Sequence, residues 1–300
     1  MREGQWIVFS LFSVLAATVG MYFYVLQTVR SDSVRISINS WIGNTPLMYA
    51  YEKGWLAETP FTFVWLVDVS DHVNLYERGF TQGFSGTQFE LFALKNDEDK
   101  AKPVLLIDRS NGADAIVSNR SLEEIVATKE YVDVYLNRDS VSEMMWKAFV
   151  DGHSLRADFV LHDSSQKSIL AMKTQNTPSV IVSYEPYVTE LIQNKGYSFL
   201  GSTKNLKNFY VIDALFVEER VIREHEKDFK TMKEAIKKAI DCLHRNPKEY
   251  YATVRPYLEG QSYEAFLKSL ESIEWLCPAP REHIVAYLNQ EGIATDRIVP

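Results

Sequence analysis

Residue types that commonly carry out catalysis occur in this chain, but their spacing matches no catalytic motif. The six histidines are dispersed, with no His-Glu-x-x-His segment and no pair four residues apart. Gly83-Phe-Ser-Gly86 places its second glycine one position too early for the Gly-x-Ser-x-Gly turn of serine hydrolases. The chain has no P-loop, and Ser110-Asn-Gly-Ala-Asp114 lacks the glycine spacing of a dinucleotide site. We therefore expect neither an enzyme nor a protein with a bound cofactor.

Polar groups at the ends of predicted strands indicate ligand binding instead. In open α/β sheets, ligands bind beyond the carboxyl ends of the strands. Helix N-termini at the same places hold anions through their free N–H groups. The sequence supplies hydroxyls, amides and carboxylates at several such positions, so a binding site is the chemistry that it favours.

Alternating strand and helix patterns position these groups. Strands are predicted over residues 34–41, 61–69, 103–108, 113–118, 131–136, 157–161, 179–182 and 209–217. Helix starts are marked by Thr45-Pro46 and by capping-box spacings at Thr87-x-x-Glu90, Ser121-x-x-Glu124 and Ser140-x-x-Glu143. After residue 217 the pattern is nearly all helical, and the apolar stripe of residues 227–244 is expected in the core. The order predicts an α/β fold with a mainly parallel sheet.

The composition is that of an ordinary folded protein. Of 300 residues, 46% are hydrophobic and 24% are charged. The 32 Lys+Arg against 40 Asp+Glu give a net charge of −8, which argues against a nucleic-acid partner. Cys242 and Cys277 are too few for a disulfide framework or a four-thiolate metal site, and their pairing is left open. We expect no metal site.

The N-terminal segment differs from the rest of the chain. Residues 6–26 contain no charged side chain, and about twenty apolar residues suffice for a helix to cross a bilayer. No small-x-small cleavage site interrupts the apolar run, and no cysteine follows it for a lipid anchor. We therefore expect residues 1–30 to form an uncleaved membrane anchor. A cleaved export signal is the alternative.

Four segments, in order, resemble solute-binding proteins of the nitrate, sulfonate, taurine and pyrimidine-precursor type. They are ISINSWIGNTPLMYAYEKGW at residues 36–55, IDRSNGADAIV at 107–117, VIVSYEPY at 180–187 and IDAL at 212–215. The chain departs from the usual sequence of the family after residue 118, where the chain is expected to enter the second lobe. There the family usually has a glycine in the run Ser-Leu-x-Asp-Leu-Lys-Gly-Lys, which residues 121–130 lack.

The resemblance implies a two-lobed periplasmic binding protein fold of type II, preceded by one transmembrane helix. Lobe I would contain residues 31–118 and 211–300, lobe II residues 119–210, with a hinge near Ser118 and Val211. The protein would capture a small organic molecule or oxyanion between the lobes and deliver it to an ABC import permease. The binding domain would lie in the bacterial periplasm, tethered to the inner membrane by residues 6–26 or free after cleavage. A tethered protein that reports ligand to a membrane signalling partner is the alternative.

In such a cleft, ligand-binding residues are expected at strand ends and helix starts. They are Trp41, Asn44, Thr45, Ser85, Gly86, Thr87, Ser110, Asn111, Asp139, Ser140, Glu185 and Asp213. Trp41 either forms a flat wall for the ligand or packs between the lobes, and Asn44 and Thr45 either face the ligand or cap a helix. Glu185 either binds a ligand nitrogen or caps the helix at residues 187–195. The carboxylate of Asp213, in an apolar strand, needs compensation by a ligand amine or a hinge hydrogen bond.

The expected ligand follows from what this set lacks. A small oxyanion needs convergent donors, and the set contains no arginine or lysine. We therefore expect a neutral or partly cationic molecule such as a nitrogen heterocycle. A sulfonate held by helix N-termini is the alternative.

Overall fold

The computed structural model describes residues 33–66, 69–94 and 101–300. The predicted membrane segment, residues 6–26, lies outside the described residues. Among the helices that are described, none is both long enough and apolar enough to span a membrane.

The described chain alternates strands and helices, as the sequence predicts. The strands are β1 Val34–Asn39, β2 Phe61–Leu66, β3 Gly83–Thr87, β4 Lys102–Ser110, β5 Asp114–Ser118, β6 Val132–Leu136, β7 Phe159–Asp163, β8 Ser179–Tyr184, β9 Ser198–Ser202, β10 Ile212–Val217 and β11 Ile273–Trp275. The helices are α1 Thr45–Glu52, α2 Val69–Glu77, α3 Gln88–Ala93, α4 Leu122–Ala127, α5 Val141–His153, α6 Gln166–Ala171, α7 Tyr187–Lys195, α8 Glu219–Glu224, α9 Glu226–Arg245, α10 Pro247–Val254, α11 Tyr263–Leu270 and α12 Glu282–Gln290.

The strands form two sheets. The first has six strands in the order β11-β4-β10-β3-β1-β2, and the second has five in the order β7-β6-β8-β5-β9. In the first sheet β1 is parallel to β2 and β3, and in the second β6 is parallel to β7 and β8. Strands β10 and β5 run antiparallel to both of their neighbours.

The prediction of a mainly parallel sheet is therefore wrong, because both sheets are mixed. The reason is the path of the chain between them. Strands β5 and β10 are the first that the chain forms after crossing from one sheet to the other. Each begins at the edge where its neighbours end, so it runs in the opposite direction. Residue-level patterns do not encode this direction.

The core of the first sheet is covered by α1 and by the long helix α9. The predicted apolar stripe of α9 is confirmed, because its members are buried against the sheet: Phe229, Met232, Ala235, Ile236, Ala239, Ile240 and Leu243. The second sheet has its own core, in which Trp146 and Phe149 of α5 pack with residues of β6 and β8. Cys242 and Cys277 are both free thiols.

Two crossovers connect the sheets. Residues 111–113 lead from β4 into β5, and residues 203–211 lead from β9 back to β10. The first crossover lies several residues before Ser118, where the hinge was expected, and strand β5 pairs within the second sheet. The two crossovers lie side by side, since the N–H of Ser110, the last residue of β4, donates to the carbonyl of Val211 in the second crossover at 2.9 Å.

Candidate functional site

The carboxyl ends of strands from both sheets meet beside the crossovers. In the first sheet, Asp213 at the start of β10 pairs with Thr87 at the end of β3 and with Asp108 near the end of β4. In the second sheet, Asp114 at the start of β5 pairs with Tyr184 at the end of β8. Only residues 111–113 separate β4 from β5, so these two edges face each other. We call this place the interlobe site.

Four carboxyl groups lie buried in the interlobe site: Glu90, Asp108, Asp114 and Asp213, named here the acidic cluster. Their exposed fractions range from 0% for Asp108 to 7% for Asp114. Burial raises the pKa of Asp108 to about 8 and that of Asp114 to about 6, because the ionised forms lose their hydration. Burial likewise raises the pKa of Glu90 and of Asp213, and the other three carboxyl groups raise that of Asp213 further.

The four carboxyl groups differ in their hydrogen-bond partners. Glu90 is held in a capping box, where its Oε2 accepts from the N–H and the hydroxyl of Thr87 at 2.7 and 2.6 Å. By contrast, neither carboxylate oxygen of Asp108 meets a hydrogen-bond partner in the described chain, although this side chain is fully buried. The indole N–H of Trp41 lies beside Asp108 and partly offsets the rise in the pKa of that carboxyl group. This N–H is itself buried and has no partner in hydrogen-bonding geometry.

Gly43 determines how closely the loop after β1 approaches the acidic cluster. A Cβ atom at residue 43 would lie 1.7 Å from Oδ2 of Asp108 and 2.7 Å from Nε1 of Trp41. Both separations are far inside van der Waals contact. Only glycine therefore allows this loop to pack against the two unpartnered groups.

Aromatic side chains connect the lobes at the same place. The rings of Trp41 and Tyr184 meet edge to face, with centroids 5.9 Å apart, and Tyr184 contacts Tyr187 at 5.2 Å. Trp41 follows β1 of the first sheet, while both tyrosines follow or end β8 of the second. Trp41 thus packs between the lobes in this conformation.

A carboxylate links the two lobes next to these rings. The hydroxyl of Ser40 donates to Oε1 of Glu259 at 2.5 Å, and the hydroxyl of Tyr187 donates to Oε2 at 3.3 Å. Glu259 has a φ of +47°, which costs free energy for a residue other than glycine. The side chain of Glu259 thus connects this strained turn to Ser40 of the first lobe and to Tyr187 of the second.

The side chains of the predicted residues near α1 form hydrogen bonds to other residues of lobe I. The amide of Asn44 donates to Oδ1 of Asn39 at 2.7 Å and accepts from Ser85 at 2.7 Å. Thr45 donates to the carbonyl of Ile42 at 2.7 Å and accepts from the hydroxyl of Tyr250 at 3.2 Å. These hydrogen bonds hold the loop that carries Trp41.

Three further predicted residues lie at the crossovers and at strand β3. The hydroxyls of Ser110 and Thr203 are 2.7 Å apart and connect the two crossovers. The backbone N–H of Asn111 donates to the carbonyl of Ser272 at 2.8 Å. At Gly86, beside Thr87, a Cβ atom would be 3.4 Å from Oε2 of Glu90, so the acidic cluster packs closely on this strand.

The predicted residues of the second lobe also form hydrogen bonds, in their case to residues nearby in the sequence. The carboxylate of Glu185 accepts from the hydroxyl of Thr189 at 2.9 Å and from its N–H at 3.2 Å, which matches the helix-capping interpretation. Ser140 caps α5, but Glu143 accepts from the N–H of Asp139 rather than from that of Ser140. The expected capping box at Ser140 is thus displaced by one residue, and Asp139 is exposed.

The structure therefore brings Trp41, Thr87, Ser110 and Asp213 to the interlobe site. The sequence reasoning missed Asp108, which carries the signal used for Asp213: a carboxylate that ends an apolar run, Val104-Leu-Leu-Ile-Asp108. It also missed Tyr184 and Glu259. Within the described ranges, no group of histidine, cysteine, aspartate or glutamate side chains is arranged to hold a metal ion.

The fold of this chain is similar to that of several solved protein structures, although its sequence is not. No protein family and no curated protein matches the sequence. The ligand-binding component of an ABC-type import system from Staphylococcus aureus, solved with zinc bound, superposes with a TM-score of 0.68 at 14% identity, covering 90% of this chain and 96% of that chain. The periplasmic aliphatic sulphonate binding protein SsuA from Escherichia coli gives 0.67 at 12% identity, covering 89% and 95%.

A third neighbour is the periplasmic nitrate-binding protein NrtA from Synechocystis, with a TM-score of 0.60 at 12% identity, covering 78% of this chain and 68% of that chain. The structural neighbours are thus ABC-type periplasmic solute-binding proteins, the type that the sequence segments resemble. The chain has the mixed α/β, two-sheet fold of periplasmic binding proteins, which confirms the predicted fold class at this level.

Proposed function

We propose that this chain is an extracytoplasmic solute-binding protein that captures a small molecule between its lobes and delivers it to an ABC import permease. The observation that carries the proposal is the interlobe site, where polar strand ends of two sheets face each other beside paired crossovers. A ligand held there contacts both lobes at once, so it stabilises the closed arrangement by its differential affinity for that state. The order of strands in the first sheet, with β10 between β3 and β4, supports the type II form of the fold.

The proposed cycle is a hinge closure. Ligand enters while the lobes are apart, and the lobes rotate about residues 111–113 and 203–211 until the two edges meet. Closure brings Trp41 against Tyr184 and Glu259 against Tyr187, and both pairs are in contact in this conformation. The members of the acidic cluster are at most 7% exposed here, so a ligand reaches them only through an open form.

Two of the predicted residues are proposed to contact the ligand directly, and the others to support the site. Trp41 and Asp213 are proposed as direct contacts, because both lie in the interlobe site. Thr87 positions Glu90, while Ser110 acts at the crossovers. The other predicted residues are proposed to shape the surrounding loops: Asn44, Thr45, Ser85, Gly86, Asn111, Asp139, Ser140 and Glu185.

We further propose that residues 6–26 anchor the protein in the bacterial inner membrane, with the binding domain in the periplasm. The absence of charge over these 21 residues supports the anchor, and the periplasmic neighbours support the location of the domain. Those neighbours are described as binding proteins, which supports a non-enzymatic role. The same tether favours a second candidate, a ligand sensor that reports to a signalling protein. A neighbouring gene for a permease and its ATPase, or for a sensor kinase or cyclase, distinguishes the two.

A thermal-shift screen of the full-length chain in detergent tests the binding function. The panel contains nitrate, alkylsulfonates, taurine, pyrimidines and organic amines. A ligand present at a hundred times its dissociation constant adds about 2.7 kcal/mol to the free energy of unfolding, which raises Tm by a few degrees. Trp41→Ala should reduce the shift, whereas Trp55→Ala, at a partly buried position packed against the core of the first sheet, serves as the matched control. A folded protein that no panel member stabilises would count against the proposed function.

A further inference from the structure

The charges around the interlobe site are of one sign. The charged groups that influence Asp108, Asp114 and Asp213 are the other carboxyl groups of the acidic cluster. Arg109, the neighbour of Asp108 in sequence, is directed away and pairs with Glu274 on β11 at 2.6 Å. No positive side chain of the described residues is therefore placed to neutralise the cluster.

A second observation points to a missing partner. Asp108 is fully buried, yet both of its carboxylate oxygens lack hydrogen bonds within the described chain, and so does the buried indole N–H beside it. A buried polar group without a partner destabilises the folded protein, and more so when it is charged. Buried polar groups in folded proteins are normally hydrogen-bonded, so the carboxyl group of Asp108 has unused capacity for a ligand that donates hydrogen bonds.

The aromatic residues define the rest of the site. The rings of Trp41, Tyr184 and Tyr187 pack edge to face across both lobes, and the indole of Trp41 lies beside Asp108 and Asp213. Aromatic rings attract organic cations through the negative potential of the ring face. An alkylammonium ion matches such a site in both of its parts. The carboxylate suits its positive charge, and the aromatic rings suit its apolar substituents.

We propose that the ligand of the interlobe site is an organic ammonium cation, bound through the carboxylates of Asp108 and Asp213 and packed against Trp41 and Tyr184. This inference rests on the proposed function and specifies the class of solute. Anions such as those bound by the sulphonate- and nitrate-binding neighbours would meet no positive side chain of the described residues at the acidic cluster. The cation would supply the hydrogen-bond partner that Asp108 lacks within the described chain.

Calorimetric titration of the full-length chain in detergent at pH 8 tests the inference. The cation probes are choline, putrescine and agmatine, and the anion probes are nitrate and ethanesulfonate. We expect at least one cation to bind and neither anion to bind. Hydrogen bonds to charged groups contribute about 1.5–3 kcal/mol, so Asp213→Asn and Asp108→Asn should each weaken cation binding at least about tenfold. Asp151→Asn, on the exposed side of α5, should leave it unchanged.

The outcomes separate the inference from the proposed function. Binding of nitrate or ethanesulfonate, with affinity unaffected by Asp213→Asn, overturns the cation inference and leaves a solute-binding protein. Cation binding that both Asp→Asn variants retain in full also overturns it. Circular dichroism and Tm of each variant verify folding, and the two variants remove different members of the pair, so one unfolded variant does not prevent the test. A chain that binds none of the three cations overturns the inference, while the wider thermal-shift panel decides the proposed function.

Discussion

Asp108 and Asp213 lie opposite each other on the antiparallel strands β4 and β10, and both side chains are almost completely buried. Two carboxyl groups in such a position cannot both ionise without a cation, because burial and mutual repulsion each disfavour the charged form. In the empty protein, burial and mutual repulsion therefore raise the pKa of both groups and favour their protonated forms. The strand pairing thus builds a site that becomes charged when a positive ligand enters.

The first prediction concerns how stability varies with pH. Burial raises the pKa of Asp108 from 3.8 to about 8, so between these values the folded chain keeps a proton that the unfolded chain releases. The contribution of Asp108 to the free energy of unfolding is therefore largest at the acidic end of this window and falls as pH rises towards 8. One such group changes it by at most about 1.4 kcal/mol per pH unit.

Urea denaturation of the full-length chain at pH 5, 6, 7 and 8 measures this dependence. Asp108→Asn should flatten the decline, because the amide does not titrate, and should make the protein more stable than wild type at pH 8. Asp114, whose pKa is raised to about 6, contributes in the same direction and keeps part of the slope. Asp151→Asn should retain the full wild-type slope. Equal slopes for wild type and Asp108→Asn would contradict the assignment.

The second prediction concerns acid pH and His72. This side chain is fully buried on α2, and burial lowers its pKa from 6.5 to about 4. Below about pH 6.5 the unfolded chain binds a proton that the folded chain excludes, so stability decreases as pH falls from 6.5 to 4. His72→Phe should remove this part of the acid decline, by at most about 1.4 kcal/mol per pH unit. Denaturation at pH 4.5 and 6.5 measures it, and exposed His244→Phe is the control. An acid decline equal in both variants would be inconsistent with a neutral buried His72.

The third prediction concerns Gly43. In Gly43→Ala the new Cβ atom overlaps Asp108 and Trp41, so the loop must move away from the site. Overpacking of this kind costs about 1–3 kcal/mol of stability. Gly152→Ala is the matched control, because a Cβ atom there meets nothing within 4 Å and alanine favours the helix by about 1 kcal/mol. Chemical denaturation should show opposite signs for the two variants. A neutral Gly43→Ala would mean that the loop does not pack as described.

The fourth prediction concerns the contact between the lobes at Glu259. Glu259→Gln weakens the acceptor for the hydroxyls of Ser40 and Tyr187, so the lobes should separate more often. Hydrogen–deuterium exchange should then be faster in residues 39–44 and 184–190 and unchanged in α9. Glu282→Gln, at the exposed start of α12, should have no effect on either segment. Unaltered exchange in Glu259→Gln would show that this carboxylate does not hold the lobes together.

Much of the fold could be predicted because local signals determine it. Helix α7 has the predicted bounds, since Gly196 ends it in a left-handed conformation, and the capping boxes at Thr87 and Ser121 form as their spacing indicates. The direction of β5 and β10 could not be predicted, because it depends on where the chain re-enters each sheet.

The site was accessible to sequence reasoning only in part. Asp213 could be identified because a carboxylate in an apolar strand needs compensation, and Asp108 carries the same signal. Their pairing, by contrast, depends on the register between strands more than a hundred residues apart in the chain. The contact of Trp41 with Tyr184 depends in addition on how the two lobes meet.

The central claim is that one ligand closes two lobes over the interlobe site. Hydrogen–deuterium exchange of the full-length chain, with and without the compound that raises Tm most, tests it directly. The account predicts that residues 39–44 of the first lobe and residues 184–190 of the second become protected together, and that Asp213→Asn abolishes both effects at the same ligand concentration. Protection confined to one lobe, or to a surface away from both segments, would contradict it.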